Sequence, residues 1–464
     1  MKFLRKILDK QKPKFEKGGK LYALHSVFDG FETFLFVPKH TTPEKGAQVR
    51  DAIDMKRLMI TVVVAMVPCL LFGIWNAGHQ HFLALGEQAD FLAKILYGSK
   101  VVLPIVVVAY AVGLGIEFVF AQRRGHAINE GYLVSGMLIP LIMPVTIPLW
   151  QVALASAFAV IIAKEVFGGT GMNILNIAMT ARAFLYFAYP TNMAGDFKVW
   201  TQYDQSDKIV AERVENVQKL DGYTRATALG LAAEKSSALE AQIQTAREKY
   251  VDNKVKAAEA KGKIANPVAF NAKAFEEADN LPEVKDLKAK IPNQVEAAFQ
   301  STKNGLYSFK SFVIGTIPGS IGETSFLMCI IGALILILTG VGSWKIIVSA
   351  FGGAYLIGLL FNAIGGNAYM AMPAHYHLVM GGLAFGIVFM ATDPVTAAQT
   401  EMGKWVYGFL IGALTVLIRV FNPAYPEGIM LVVLLMNVFA PLIDYYVVAA
   451  NKKRRLKRLE LKQA

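Results

Sequence analysis

Ten predominantly apolar runs limit what this chain can fold into. They are Leu58–Ala77, Val101–Ala121, Tyr132–Met143, Leu149–Ala163 and Ile174–Tyr189, then Phe326–Gly340, Ile346–Phe361, Tyr376–Met390, Trp405–Phe421 and Ile429–Val448. Inside a bilayer every backbone polar group must be satisfied within the segment, so about 20 mostly apolar residues are needed per helical crossing. The whole chain is 54% hydrophobic and only 18% charged, with a mean hydropathy of +0.41. That balance excludes an ordinary water-soluble enzyme and predicts an all-α polytopic membrane protein.

Charge supplies the orientation. Residues 1–57 hold 13 Lys and Arg against 7 Asp and Glu, and residues 451–464 hold 7 against 1, so each end carries +6 and the two account for the net +12. Basic flanks on an apolar body point to cytoplasmic ends rather than to nucleic-acid binding, and an even number of crossings fits two cytoplasmic termini. The connections Gln122–Gly131 and Lys164–Asn173 and the turn at Lys345 then fall inside, and the long segment 190–325 outside. The first apolar run begins too far along for a signal peptide. Cys69 and Cys329 lie in apolar runs far apart in sequence, which predicts neither a disulfide framework nor a cysteine metal cluster within this chain. Thiol-ligated iron–sulfur would need ligands from a partner.

The halves resemble each other. Gly136 followed by Pro144-Val145-Thr146 is matched 250 residues later by Gly386 and Pro394-Val395-Thr396, and Cys69 and Cys329 occupy comparable places. Five crossings per half make the second copy enter from the opposite side, giving two inverted five-helix repeats. Chance similarity among Gly- and Pro-rich membrane helices is the plain alternative. The expected organisation is a cytoplasmic arm (1–57), a first membrane repeat (58–189), an external loop (190–325), a second repeat (326–448) and a basic tail (449–464). Within the loop, residues 231–300 are rich in Ala, Glu and Lys, with prolines at 267, 282 and 292, which predicts a soluble insertion of two or three helices.

After the fifth run the chain reads Asp221-Gly222-Tyr223-Thr224-Arg225-Ala226-Thr227. This heptad resembles the acceptor motif onto which a flavin transferase attaches FMN through a phosphoester to the last threonine, here Thr227, with Arg225 where the motif usually has glycine. Further blocks extend the resemblance: Asp51–Arg57, Lys164–Gly171, Pro318–Glu323, Ala391–Pro394 and Asn422–Gly428. Together they are similar to the B-subunit family of sodium-translocating NADH:quinone oxidoreductases over nearly the whole chain, residues 231 to about 300 excepted. The D subunit of the Rnf complex shares the threonine motif but lacks an arm such as Leu21–Pro38.

The resemblance implies covalent FMN on Thr227, with Asp221 and Thr224 in its motif, and a non-covalent riboflavin. Ubiquinone or menaquinone would be the acceptor near the cytoplasmic face. It also implies partners of the A, C, D, E and F types, a bacterial inner-membrane location, and maturation by a flavin transferase. The external loop puts Thr227 within that enzyme's reach.

Carboxylates inside a bilayer are expensive and mark functional positions. Asp29, Glu117, Asp393 and Asp444 all fall on the cytoplasmic side of the derived topology and match positions the family implicates in sodium uptake. Hard cations take oxygen ligands. Structural alternatives are a pair between Glu117 and Arg123 or Arg419, a helix cap by Asp393, and a pair between Asp444 and the basic tail. Gly113 and Leu114, just before Glu117, match the family's quinone-site region, although close helix packing explains a small residue equally well. Phe385 and Phe389, one helical turn apart, match aromatics thought to narrow the sodium path; lipid or core packing is the alternative. Gly168-Gly169-Thr170-Gly171 lacks the Lys and Ser/Thr of a phosphate loop and reads as a tight connection, so no NADH site is expected here. His375-x-His377 lacks a third ligand and reads as a cap or interfacial pair rather than a metal site. A passive permease would use the helices and acids but leave the threonine motif without a purpose.

Overall fold

The computed structural model describes residues 2–16, 18–22, 25, 28, 30, 32 and 36 of the N-terminal arm, then 55–124, 131–193, 200–201, 227–259, 267–293, 295, 299, 306–422, 425 and 427–463. Among these residues every regular element is helical. Among the described residues, five helices are long and apolar enough to cross a membrane: Met55–Leu85, Phe91–Arg124, Trp344–Ile364, Glu401–Phe421 and Ile429–Gln463.

The other five apolar runs form shorter or interrupted helices. Tyr132–Leu141 ends at a turn carrying Pro144, and its ten residues rise only about 15 Å, half a hydrocarbon core. Leu149–Phe158 continues as a wide, π-type turn over Ala159–Glu165. Ile177–Ala188 and Phe326–Leu338 stop at 12 and 13 residues. The run expected as one helix over Tyr376–Met390 is broken: Ala374–Val379 ends, Gly381 takes a left-handed φ of +64°, and Leu383–Phe385 restarts into a second π-type turn, Gly386–Met390. Phe389 thus stands on a widened turn, with Phe385 immediately before it.

Small residues set the packing. A Cβ on Gly412 would lie 1.8 Å from the Ala350 carbonyl oxygen, and one on Gly353 2.3 Å from that of Phe409, so the helices Trp344–Ile364 and Glu401–Phe421 touch backbone to backbone. Cys69 and Cys329 are both buried and free, and their thiols lie close enough to act on each other. Sequence separation was therefore a poor guide: the two halves pack so that the cysteines meet.

The segment after Thr227 forms three helices, Ala228–Glu259, Pro267–Ala278 and Pro282–Lys290. Leu239, Ile243 and Val284 give it a small core of its own, and Asp279 ties it together with Arg247 and Lys288. Its first turns are different in kind. Leu229, Leu231, Ala232 and Ala233, with Val295 and Phe299 at the far end of the segment, are buried in the main core.

Candidate functional site

Two cavities lie at opposite ends of the helix bundle. Leu58, Met59 and Val62, at the start of the first long helix, line one; Asn76, further along that helix, donates to the Ile317 carbonyl beside the other. At 1.5 Å per residue the two ends are about 25 Å apart.

The larger cavity encloses about 750 Å³ of empty space, its open mouth included. Its walls are mostly apolar, with Lys164, Thr170, Asn173, Asn176, Thr392 and Asp393 as the polar insertions. Both π-type turns reach it, one bringing Lys164 and the other Phe389. Each turn closes its helix, and turns of this kind recur at functional sites. The Phe385 and Phe389 rings lie 4.9 Å apart, tilted by 49°.

Asp393 accepts from the Val395 amide (3.0 Å), the Thr396 hydroxyl (3.1 Å) and the Asn176 side chain (3.4 Å). Burial pushes its carboxyl above the usual range, and those three donors pull the other way. It caps a turn and simultaneously faces the cavity. Glu117 is buried and accepts from the Lys164 ammonium at 2.6 Å. Neither Arg123 nor Arg419 is its partner. Arg419 is fully buried and donates to the carbonyls of His377 (2.6 Å), Met380 (2.8 Å) and Glu427 (3.3 Å). Two of those are the open carbonyls left where the helix Ala374–Val379 breaks, so the guanidinium closes that helix end.

Asp444 does not pair with the basic tail. It accepts from the backbone amides of Gln399 (2.6 Å) and Thr400 (2.9 Å) and from the Thr400 hydroxyl (2.5 Å), while Gln399 donates to the Pro394 carbonyl (2.7 Å). Asp444 therefore stands behind the 393–400 loop and fixes its shape. Asp29 lies outside the described residues, as do Asp221 and Thr224.

Gly113 meets a planar ring, and that ring is the protein's own. A Cβ there would lie 1.9 Å from Cζ of Tyr132, whose hydroxyl donates to the Ala109 carbonyl at 3.0 Å. Leu114 beside it is half-buried. Gly113→Ala is expected to displace Tyr132 and destabilise the protein by about 1–3 kcal/mol, a typical cost of overpacking. Gly115→Ala, where a Cβ has open space, is the control that should melt like the parent in a thermal unfolding series.

The second cavity is lined by Thr227, Pro318, Gly319, Ser320, Glu323 and Glu427 among others. Thr227 is only 7% exposed, not the open loop threonine the sequence suggests. Its Oγ1 accepts from the Gly230 amide at 3.0 Å, so it caps the helix Ala228–Glu259. A helix N-terminus favours an anionic group. Beneath it, Arg182 bridges Glu323 (2.7 Å) and Glu427, and Ser320 donates to Glu323 (2.5 Å). Burial pushes the Glu323 carboxyl up, against the pull of Arg182.

Lys164, Asn176, Arg182, Glu323 and Glu427 were not singled out from the sequence. The available signal was charge: Lys164 and Arg182 both fall in or against apolar runs, where an ionic side chain needs a partner.

A bundle of apolar crossing helices with charged groups buried in its interior and a cavity at each end defines an integral membrane protein of the transporter or membrane-redox class. The chain belongs to the NQR2, RnfD, RnfE family, which it matches over residues 42–453. It is 40% identical to the B subunit of the Na(+)-translocating NADH-quinone reductase of Chromohalobacter salexigens, over 98% of this chain and 96% of that protein. It is 40% identical to the protein of the same name from Ectopseudomonas mendocina, and 38% to that of Pseudomonas aeruginosa, in both cases over 98% of this chain and 99% of the relative.

Proposed function

We propose that this chain is the flavin-carrying membrane subunit of a sodium-translocating NADH:quinone oxidoreductase. It would pass electrons from FMN on Thr227 at the outer end to quinone at the cytoplasmic end, and provide part or all of the sodium path. The observation that carries this reading is Thr227 itself. The one hydroxyl the motif singles out caps a long helix beside a cavity that Ser320, Glu323 and Glu427 also line, at the end of the bundle opposite Glu117 and Asp393.

The residues fit an attached flavin phosphate. The Gly230 amide in the first turn of the helix Ala228–Glu259 donates to the Thr227 oxygen, and Arg182 sets against the two carboxylates beneath it. Bound flavin supplies one- and two-electron transfer. Because Thr227 is nearly buried, the flavin transferase would act before the first turn of that helix settles into the core.

At the cytoplasmic end, the apolar walls of the larger cavity suit a planar ring, and we assign the non-covalent riboflavin to it. Asp393, Glu117, Phe385 and Phe389 form the sodium path around the cavity, with Asp444 holding the 393–400 loop in place and Asp29 contributed by the arm. Gly113 and Leu114 belong to the quinone region through the position of Tyr132.

The ten-crossing, inverted-repeat architecture is part of this reading. The turn at Pro144 lies at the Thr227 end, where Ile321 and Gly322 donate to the carbonyls of Met143 (3.1 Å) and Leu141 (2.7 Å), and its counterpart at Pro394 lines the opposite cavity. Matching turns at opposite ends are what an inverted repeat requires, and short or broken helices in corresponding places mark the site between repeats. Both termini are then cytoplasmic in a bacterial inner membrane, with A-, C-, D-, E- and F-type subunits as partners.

Peptide mass spectrometry of the chain purified from its native host tests the reading. The peptide containing Thr227 is expected to carry the mass of FMN. An unmodified peptide from a host with an active transferase would reject the redox role and leave the permease.

A further inference from the structure

Lys164 and Glu117 form an ion pair built in an unusual way. The ammonium is 1% exposed and sits 2.6 Å from Glu117 Oε1, which also receives the Thr170 hydroxyl at 3.4 Å. The other carboxylate oxygen, Oε2, is buried and has no hydrogen-bond partner among the described residues. The neighbouring cation, Arg124, is committed elsewhere: one guanidinium nitrogen binds the Glu165 carboxylate at 2.9 Å and the other the Glu165 carbonyl at 2.7 Å. A buried carboxylate with one open oxygen is a costly arrangement unless a further partner takes that oxygen part of the time.

Lys164 also lines the larger cavity, and so does Asp393. All three donors to Asp393 are neutral: an amide, a hydroxyl and a carboxamide. Among the described residues lining this cavity Lys164 is the one cation and Asp393 the one carboxylate, and the Lys164 ammonium is already engaged by Glu117.

We propose that Lys164 is the internal competitor of sodium at Glu117. In the sodium-free chain its ammonium occupies Glu117. When Na+ takes both oxygens of Glu117, the ammonium turns on its flexible stem into the cavity toward Asp393, and both carboxylates are then neutralised. Lysine suits the exchange because its charge is a compact point on a four-carbon stem, whereas a guanidinium would clamp both oxygens. Lys164 is thus a positioning residue that sets sodium affinity without being a sodium ligand. The proposal rests on the reading of Glu117 as part of the sodium path.

Opposite responses to two substitutions test it in the purified complex. Sodium affinity is read from the NaCl concentration that gives half of the Na+-induced thermal stabilisation, and in parallel from the half-saturating NaCl for quinone reduction. Lys164→Met removes the competitor and is expected to lower both values about tenfold, the change that 1.4 kcal/mol of lost competition produces. Lys164→Arg fills the open Oε2 and is expected to raise both several-fold. Glu117→Gln should raise both, and in the Lys164→Met/Glu117→Gln double variant the Lys164 effect should vanish. The double variant also removes the unpaired buried charge should Lys164→Met alone fail to assemble, and Lys164→Arg then carries the test. If Met and Arg both weaken sodium binding, or neither changes it, while Glu117→Gln weakens it, the competition is overturned and the sodium path stands. If Glu117→Gln leaves sodium binding unchanged, the sodium path through Glu117 falls, and the competition with it.

Discussion

On the proposed function, Thr227→Ala is expected to abolish the covalent flavin: in-gel fluorescence of the denatured chain should fall to background, and quinone reduction by the complex should be lost. Alanine has no oxygen to carry a phosphoester, so the effect on attachment is complete rather than graded. The same substitution removes the helix cap that accepts from the Gly230 amide, at a cost of about 1 kcal/mol. That is too little to eject a chain held by five long apolar helices. The Thr227→Ala chain should therefore still insert and assemble. Thr227→Ser separates the two losses, since serine keeps both the cap and a hydroxyl for the phosphoester. Fluorescence retained in the alanine variant would show that the flavin sits elsewhere.

Arg182→Met is expected to be the most destabilising single substitution. Arg182 is almost wholly buried and joins the first half of the chain to two acids of the second, Glu323 and Glu427. Removing one partner from a buried ionic group costs about 3–5 kcal/mol, because the charges left behind stay desolvated. Here two carboxylates are left. Thermal unfolding of the detergent-solubilised protein should show a large drop in midpoint, or no folded protein at all. Arg182→Lys should recover part of the loss, since one ammonium cannot reproduce the planar fork that meets two carboxylates at once. A midpoint equal to the parent's would mean that the three charges are not a structural unit.

Much of the architecture was legible because lipid imposes a coarse rule. Wherever the sequence carries about 20 apolar residues without interruption, as in Met55–Leu85 or Ile429–Gln463, the chain forms a crossing-length helix. The rule lost resolution where Gly and Pro interrupt an apolar run. Hydropathy does not register a left-handed Gly381 or a π-type turn, so Tyr376–Met390 read as one helix when it is two pieces joined by a break.

The site was legible to different depths for different residues. Thr227 and Asp393 stand in short motifs whose local spacing carries information, and local spacing survives folding. Partners did not follow from spacing. Glu117 lies only six residues from Arg123, yet its partner is Lys164, 47 residues away and aimed inward by a widened turn. Asp444 has a basic tail a few residues on, yet both of its oxygens are taken by amides 44 and 45 residues back. In each case the nearer charge stays hydrated at the surface, and the carboxylate takes the donors that packing brings to it, because losing water without gaining a partner is the greater cost.

By itself, the sequence determined the membrane class, the basic character of both ends and the threonine on which the redox reading depends. All three are additive properties of residues or of neighbours along the chain. Only the tertiary structure decided which charges are paired, that Cys69 meets Cys329, that Gly113 makes room for Tyr132, and that Lys164 and Asp393 share one cavity. Those are long-range contacts between half-buried helices, fixed by where small residues let backbones approach and where helices break.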